Sequence, residues 1–155
     1  MAYNNPTPVA VAIVRVRRDD DSLAILGIVR KLAPVDGKAL PGGYVDEMEN
    51  SREAAARELR EETRFVTTPN QWRLIQDVTS PQNRLLLFCE FMFEIPESAL
   101  TGFTPTKETS AVLCITAETE LCFSLHQEAV RGYLAFACEH QYPEVLPTID
   151  MSPDL

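Results

Sequence analysis

Residues 42–65, GGYVDEMENSREAAARELREETRF, constrain this chain more than any other stretch. Two glycines, Gly42 and Gly43, end a predicted strand, and a run dense in charge follows. An α-helix turns about 100° per residue, so positions i, i+3 and i+4 share a face. Glu58, Glu61 and Glu62 have that spacing, and their carboxylates are expected to converge. Like charges on one helical stripe repel by about 0.2–0.5 kcal/mol per pair even when exposed. A bound cation relieves that repulsion, and hard oxygen donors suit Mg²⁺ or Mn²⁺. The competing reading is a solvated face, with Glu58 paired to Arg52 or Glu61 to Arg57.

The local signals give this helix definite ends. Asn50 is a predicted N-cap, with Glu53 as its capping-box partner. The helix is expected over 51–63, with Ala54, Ala55, Ala56 and Leu59 as a small-residue inner face. A C′ residue often adopts the left-handed conformation, which glycine takes freely and other residues take at a cost of about 1–2 kcal/mol. That place falls to Arg64. Before the helix, Pro41-Gly42-Gly43 reads as a tight turn, or as a place where backbone with positive φ approaches a ligand closely.

Around the segment, the hydrophobic pattern is that of a mixed α/β fold. Residues 9–17 and 23–30 read as a strand hairpin across the RDDDS turn, and 71–80 with 84–95 as a second hairpin across Pro81-Gln82-Asn83. Residues 111–116 read as a strand and 96–106 as a mobile loop. Ser124 and Gln127 form a second predicted capping box, opening a closing helix over 125–140. Its stripe Ala129, Val130, Tyr133, Leu134, Ala137 is core packing. One domain over 1–155 is expected, with a loose lead-in at 1–7 and an irregular tail at 142–155.

Charge and composition exclude some partners. The chain has 155 residues and a net charge of −9, with a pI near 4.7. That argues against a nucleic-acid backbone or an anionic membrane as partner. It also means that local arginines or a metal must reverse the sign wherever an anionic phosphate binds. No apolar run reaches about 18 residues, so no membrane-spanning helix is expected. The first apolar run alternates and ends in basic residues, as a strand does and a leader does not. Cys89, Cys114, Cys122 and Cys138 lack ligand spacing and read as reduced thiols of a cytoplasmic protein. His126 and His140 have no partner motif and are read as structural or surface residues.

Gly43, five residues, Glu49, seven residues, then Arg57-Glu58-Leu59-Arg60-Glu61-Glu62 is similar to the signature of the Nudix hydrolases. Every charged position is filled in register. Arg64 stands where the signature has its final Gly, before the apolar Phe65. The resemblance implies an α/β/α sandwich with a mixed sheet. It also implies metal-dependent hydrolysis of a phosphoanhydride in a nucleoside diphosphate linked to another moiety. Glu58, Glu61, Glu62 and the Gly42 carbonyl would hold Mg²⁺ or Mn²⁺. Arg57 would orient a motif carboxylate, Glu61 would take part in catalysis, Glu49 would support the site, and Gly43 would lie against substrate. Many members use a further acid outside the motif as ligand or general base, and Glu108 is the candidate. Pro81 resembles a proline of ADP-ribose pyrophosphatases, which makes ADP-ribose or a similar nucleotide sugar the expected substrate. Arg84 beside it would meet a phosphate or ribose, or cap its strand. Pyrophosphohydrolysis of nucleoside triphosphates and a non-catalytic metabolite sensor remain as alternatives. The expected partners are a small-molecule nucleotide and, at most, a second copy of the chain.

Overall fold

Alternation along the first strand decides the layers. In β1 (Thr7–Arg17), Ala12, Val14 and Val16 point to one face and Val11 and Ile13 to the other, and all five are buried. A strand buried on both faces needs cover on each. In the computed structural model, which describes residues 2–137 and 140–155, a helix supplies each cover. The first face packs with Ala55, Ala56 and Leu59 of α1 (Ser51–Thr63), and the second with Val130 of α2 (Ser124–Phe136). Leu59 is 1% exposed; burying a leucine contributes roughly 1.5–3 kcal/mol. The expected α/β/α sandwich is the observed architecture.

The sheet between the helices is mixed. It contains β1, β2 (Leu23–Arg30), β3 (Lys38–Ala39), β4 (Gly42–Tyr44), β6 (Trp72–Thr79), β7 (Arg84–Pro96) and β8 (Thr109–Ile115). β1 runs parallel to β7 and antiparallel to β2 at one end and to β4 at the other. β2 also pairs with β3 and β8, and β6 lies at the edge beyond β7. Both expected hairpins form, with Arg17 opposite Leu23 and Thr79 opposite Leu85. Asp21 and Asn83 take positive φ in the turns, a conformation that Asp and Asn tolerate better than most residues. β7 carries two buried acids that its apolar pattern hides. Glu90 accepts hydrogen bonds from Arg73, Tyr133 and Tyr142, and Glu94 from Arg17. The Tyr133 bond ties α2 to the sheet.

Several expected boundaries moved. The Asn50–Glu53 capping box forms as expected, but the Ser124–Gln127 box does not. Phe123, whose ring has no acceptor to offer, is the N-cap of α2 in place of Ser124, and the Gln127 amide bridges Leu121 N and Thr119 O. The regular part of α2 stops at Phe136 instead of 140. The buried Arg15 guanidinium donates to the His140 carbonyl beyond it. Residues 138–139, and with them the expectation for Cys138, lie outside the described residues. The 96–106 segment holds a 3₁₀ turn, Glu97–Leu100. In the tail, β9 (Thr148–Ile149) pairs antiparallel with β5 (Phe65–Val66), just after α1. Among the described residues no helix is long and apolar enough to cross a membrane.

Candidate active site

β4 carries Gly42 and Gly43 past the second half of α1, and closeness is what requires them to be glycines. Neither has positive φ, against the sequence expectation. A Cβ on Gly43 would collide with the Glu58 carboxylate, and one on Gly42 with the Ala10 carbonyl oxygen. Gly42 N–H donates to Glu62 Oε2 at 2.8 Å. Gly42 faces Val11 in the antiparallel pair, next to the Ala10–Gly43 pair. The N–H and C=O of one strand residue point the same way, so the Gly42 carbonyl also turns away from β1.

Arg57 organises the acids from behind. Its Nε donates to Glu49 Oε2 at 2.8 Å and its Nη2 to Glu49 Oε1 at 2.9 Å, a two-pronged grip. Nη1 reaches Glu58 Oε1 at 2.8 Å and Glu61 Oε2 at 3.2 Å, and Nη2 also reaches the Tyr44 carbonyl at 2.9 Å. Glu58 therefore pairs with Arg57 rather than Arg52. The solvated-face reading fits Glu61 alone, whose side chain is 41% exposed and ion-paired with Arg57. Glu58 and Glu62 are 7% and 3% exposed. Burial, with the charges of Glu61 and Glu108 added, pushes the Glu58 carboxyl up to about 7 against the pull of Arg57. Burial and the neighbouring Glu58 charge hold Glu62 well above the usual carboxylate range. Glu108 lines the same cleft as these acids, and its charge raises both.

These acids line a cleft of about 740 Å³ together with Gly42, Gly43, Arg84 and Glu108. Every site residue expected from the sequence borders it except Arg57 and its partner Glu49, which stand behind the carboxylates. Ser80, Pro81 and Gln82 form its rim. A smaller groove of about 350 Å³ between β6 and α2 is lined largely by apolar side chains, with Glu128 its one acid.

The chemistry of the donors fits a hard divalent ion. Two desolvated carboxylates, a third at the surface and a backbone carbonyl carry more negative charge than Arg57 neutralises. Among the described residues, no three acidic, Cys or His side chains already form a metal cage, so the expected convergence is incomplete. Mg²⁺ does not need one, because it commonly takes one or two carboxylates and keeps several waters.

Sequence reading missed Arg30, which lines the cleft. Arg30 ends β2 with its guanidinium 5.0 Å from the centre of the Phe123 ring. Its Nη2 donates to Ala33 O at 2.7 Å, and its buried Nε has no partner among the described residues. Arg84 lies similarly, 5.8 Å from the Tyr44 ring centre. Neither arginine makes an ion pair among the described residues. The available signal was position: a basic residue at the end of a strand that leads into the loop beside the motif. His126, left out of the site on sequence grounds, is buried at the cleft wall, where its Nδ1 accepts from Leu40 N at 3.2 Å. Its reading as a structural residue stands. Burial first, then the Arg30 charge, lowers it to about 4 from 6.5. A lowered histidine costs stability as pH falls from about 6.5 toward 4, because the unfolded chain takes the proton first. His126→Asn keeps an acceptor for Leu40 N, and is expected to flatten that loss in urea denaturation between pH 7 and 4.5.

A family model for the NUDIX domain matches residues 6–132. This chain belongs to the Nudix family. The match spans the motif, the strands of the mixed sheet and most of the closing helix. No protein of curated function matches it in sequence. Solved structures give the same fold at low identity. The NUDIX domain of Shewanella oneidensis NrtR, solved with ADP ribose, is 16% identical with a TM-score of 0.68, covering 89% of this chain and 91% of that one. A Francisella tularensis bifunctional NMN adenylyltransferase/ADP ribose pyrophosphatase, solved with AMP and Mn ion, is 22% identical with a TM-score of 0.65, covering 87% and 43%. An Enterococcus faecalis MutT/nudix family protein is 22% identical with a TM-score of 0.62, covering 74% and 45%. The chain thus spans less than half the length of the last two.

Proposed function

We propose that this Nudix hydrolase cleaves the phosphoanhydride of a nucleoside diphosphate linked to another moiety, ADP-ribose or a similar nucleotide sugar. Glu58, Glu61, Glu62 and the Gly42 carbonyl would hold Mg²⁺ or Mn²⁺. The observation that carries this reading is the division of charge across one cleft: carboxylates on the α1 side, and two aromatic-backed arginines, Arg30 and Arg84, without carboxylate partners among the described residues. A diphosphate supplies the missing counter-charge for both. The cation, when bound, would neutralise phosphate oxygens and acidify water. Arg57 keeps Glu58 and Glu61 oriented, Arg30 and Arg84 bind non-bridging phosphate oxygens, and Gly43 lets substrate lie close to the strand. The attacking water gives its proton to Glu108, with Glu61, the most exposed of the three α1 acids, as the second candidate for that role. Its oxygen bonds to phosphorus as the bond from phosphorus to the bridging oxygen breaks.

The solved relatives with ADP ribose and with AMP and Mn ion support the choice of substrate and metal by analogy of fold. The free thiols Cys89, Cys114 and Cys122 suit a reducing, cytoplasmic setting. The acidic surface suits a small nucleotide partner over nucleic acid or membrane, and leaves self-association as a homodimer open to a sedimentation measurement. The deciding experiment is turnover of a panel of nucleoside diphosphate compounds and nucleoside triphosphates with Mg²⁺ or Mn²⁺. ADP-ribose should give AMP and ribose 5-phosphate. Cleavage of triphosphates alone would overturn the substrate class, and tight binding with no cleavage under either metal would make the chain a sensor. Arg30→Ala is expected to raise KM for ADP-ribose about tenfold, the scale of one charged hydrogen bond of about 1.5 kcal/mol, with a smaller change in kcat.

A further inference from the structure

Arg64 stands at the one motif position where this chain departs from the signature, and the chemistry above makes no use of it. It is the C-cap of α1, left-handed at φ 70°, with its N–H donating to Arg60 O at 2.9 Å. Glycine would take that conformation without strain, so the side chain must compensate for being there. It is 5% exposed, and among the described residues its guanidinium donates only to backbone carbonyls. Nε reaches Thr104 O at 3.0 Å, and Nη2 reaches Pro105 O at 3.2 Å and Leu155 O at 3.4 Å. Nη1 reaches Asp150 O at 3.1 Å and Ser152 O at 2.9 Å. The tail returns one bond, from Asp150 N to Arg64 O at 2.8 Å.

Two of those carbonyls begin the loop that ends at Glu108. In that loop, Thr106 is buried, and its N–H donates to Thr109 O at 3.0 Å. Lys31 Nζ donates to Thr106 O at 2.6 Å, and Lys31 N to Glu108 O at 2.8 Å. The loop is therefore pinned by Arg64 at 104–105 and by Lys31 at 106–108, and Glu108 emerges between these anchors and the buried acids of α1. A guanidinium has five N–H groups in a fixed fork, and here the fork spans the loop and the tail at once.

We propose that Arg64 is a positioning residue, holding the 104–108 loop so that Glu108 faces Glu58 and Glu62, with the 150–155 tail completing its socket. The inference rests on the reading of Glu108 as the acid that takes the proton. The test combines Arg64→Gly, which restores the family residue and relieves the left-handed strain, with Glu108→Gln and the double variant. Hydrogen exchange of the metal-free full chain needs no turnover. In Arg64→Gly the Thr106 and Glu108 amides should exchange at least about tenfold faster while the α1 amides keep their protection. For ADP-ribose with Mg²⁺, Arg64→Gly should lower kcat about 10–100-fold with KM little changed, the scale of losing a supporting partner, and the double variant should be no slower than Glu108→Gln. Arg64→Lys, a compact cation without the fork, should fall between and serves if the glycine variant does not fold. Unchanged exchange overturns the tether. Losses that multiply in the double variant, or a Glu108→Gln enzyme with wild-type kcat, overturn the link to Glu108. If the wild type hydrolyses no substrate, the hydrolase reading fails separately, and exchange alone decides whether Arg64 holds the loop.

Discussion

Glu62→Gln is expected to fold, to melt at or above the wild-type temperature in the absence of divalent metal, and to lose at least about 100-fold in kcat. The size of the loss is that of removing one electrostatic group from a reacting centre. The stability follows from what Glu62 contributes when no cation is present. It is 3% exposed, its ionised form is opposed by burial and by the Glu58 charge, and Gly42 N–H is its hydrogen-bonding partner. A carboxyl raised in the folded state above its ordinary 4.5 costs stability as pH rises above that value, because the unfolded chain gives up the proton first. Glutamine keeps an oxygen for Gly42 N–H and has no proton to lose, so near neutral pH it avoids the cost. Thermal melts with and without Mg²⁺ check both halves. The wild type should gain stability with the metal by mass action, and Glu62→Gln should gain little. A variant with full turnover, or with an undiminished shift on adding Mg²⁺, would remove Glu62 from the metal site.

Much of this site was legible in the sequence because helical spacing is a rigid ruler. Once Asn50 and Glu53 fix the start of α1, the directions of Arg57, Glu58, Glu61 and Glu62 follow from 3.6 residues per turn. The strands were legible for a similar reason, since period-two alternation survives burial on both faces. What the sequence hid depends on contacts between distant segments. Gly42 and Gly43 look like a turn, and only the approach of β4 to Ala10 and Glu58 makes them necessary for space. Arg30 looks like any strand-end cation until Phe123, far along the chain, comes beneath it. The acids of β7 sit in an apolar run, and their partners come from β1, β6, α2 and the segment beyond it. The Ser124–Gln127 pair has the spacing of a cap, yet the Thr119–Leu121 loop claims the glutamine. Local rules identify residues able to make a bond, and tertiary structure decides which bond they make.

Arg57→Lys tests whether the geometry of the guanidinium, beyond its charge, holds the acids in place. The variant keeps a cation at the same helical position, so long-range electrostatics change little. A lysine ammonium has three donors on a flexible stem and cannot reproduce the planar fork. It therefore cannot hold both oxygens of Glu49 while also reaching Glu58, Glu61 and the Tyr44 carbonyl, as Arg57 does. Glu58 is 7% exposed and already raised to about 7 with Arg57 opposing the rise. Losing that bond leaves its charge less compensated and its direction less defined. The expected result is a fall of about 10–100-fold in kcat or in metal affinity, the range for a group that orients metal ligands. The fall should be partly recovered at saturating Mn²⁺ or Mg²⁺ if orientation of the ligands is what was lost. Steady-state kinetics across a metal titration distinguish the outcomes. A wild-type profile would mean that charge alone suffices, while a loss that no metal concentration relieves would place Arg57 in contact with the reacting phosphate instead of behind the carboxylates.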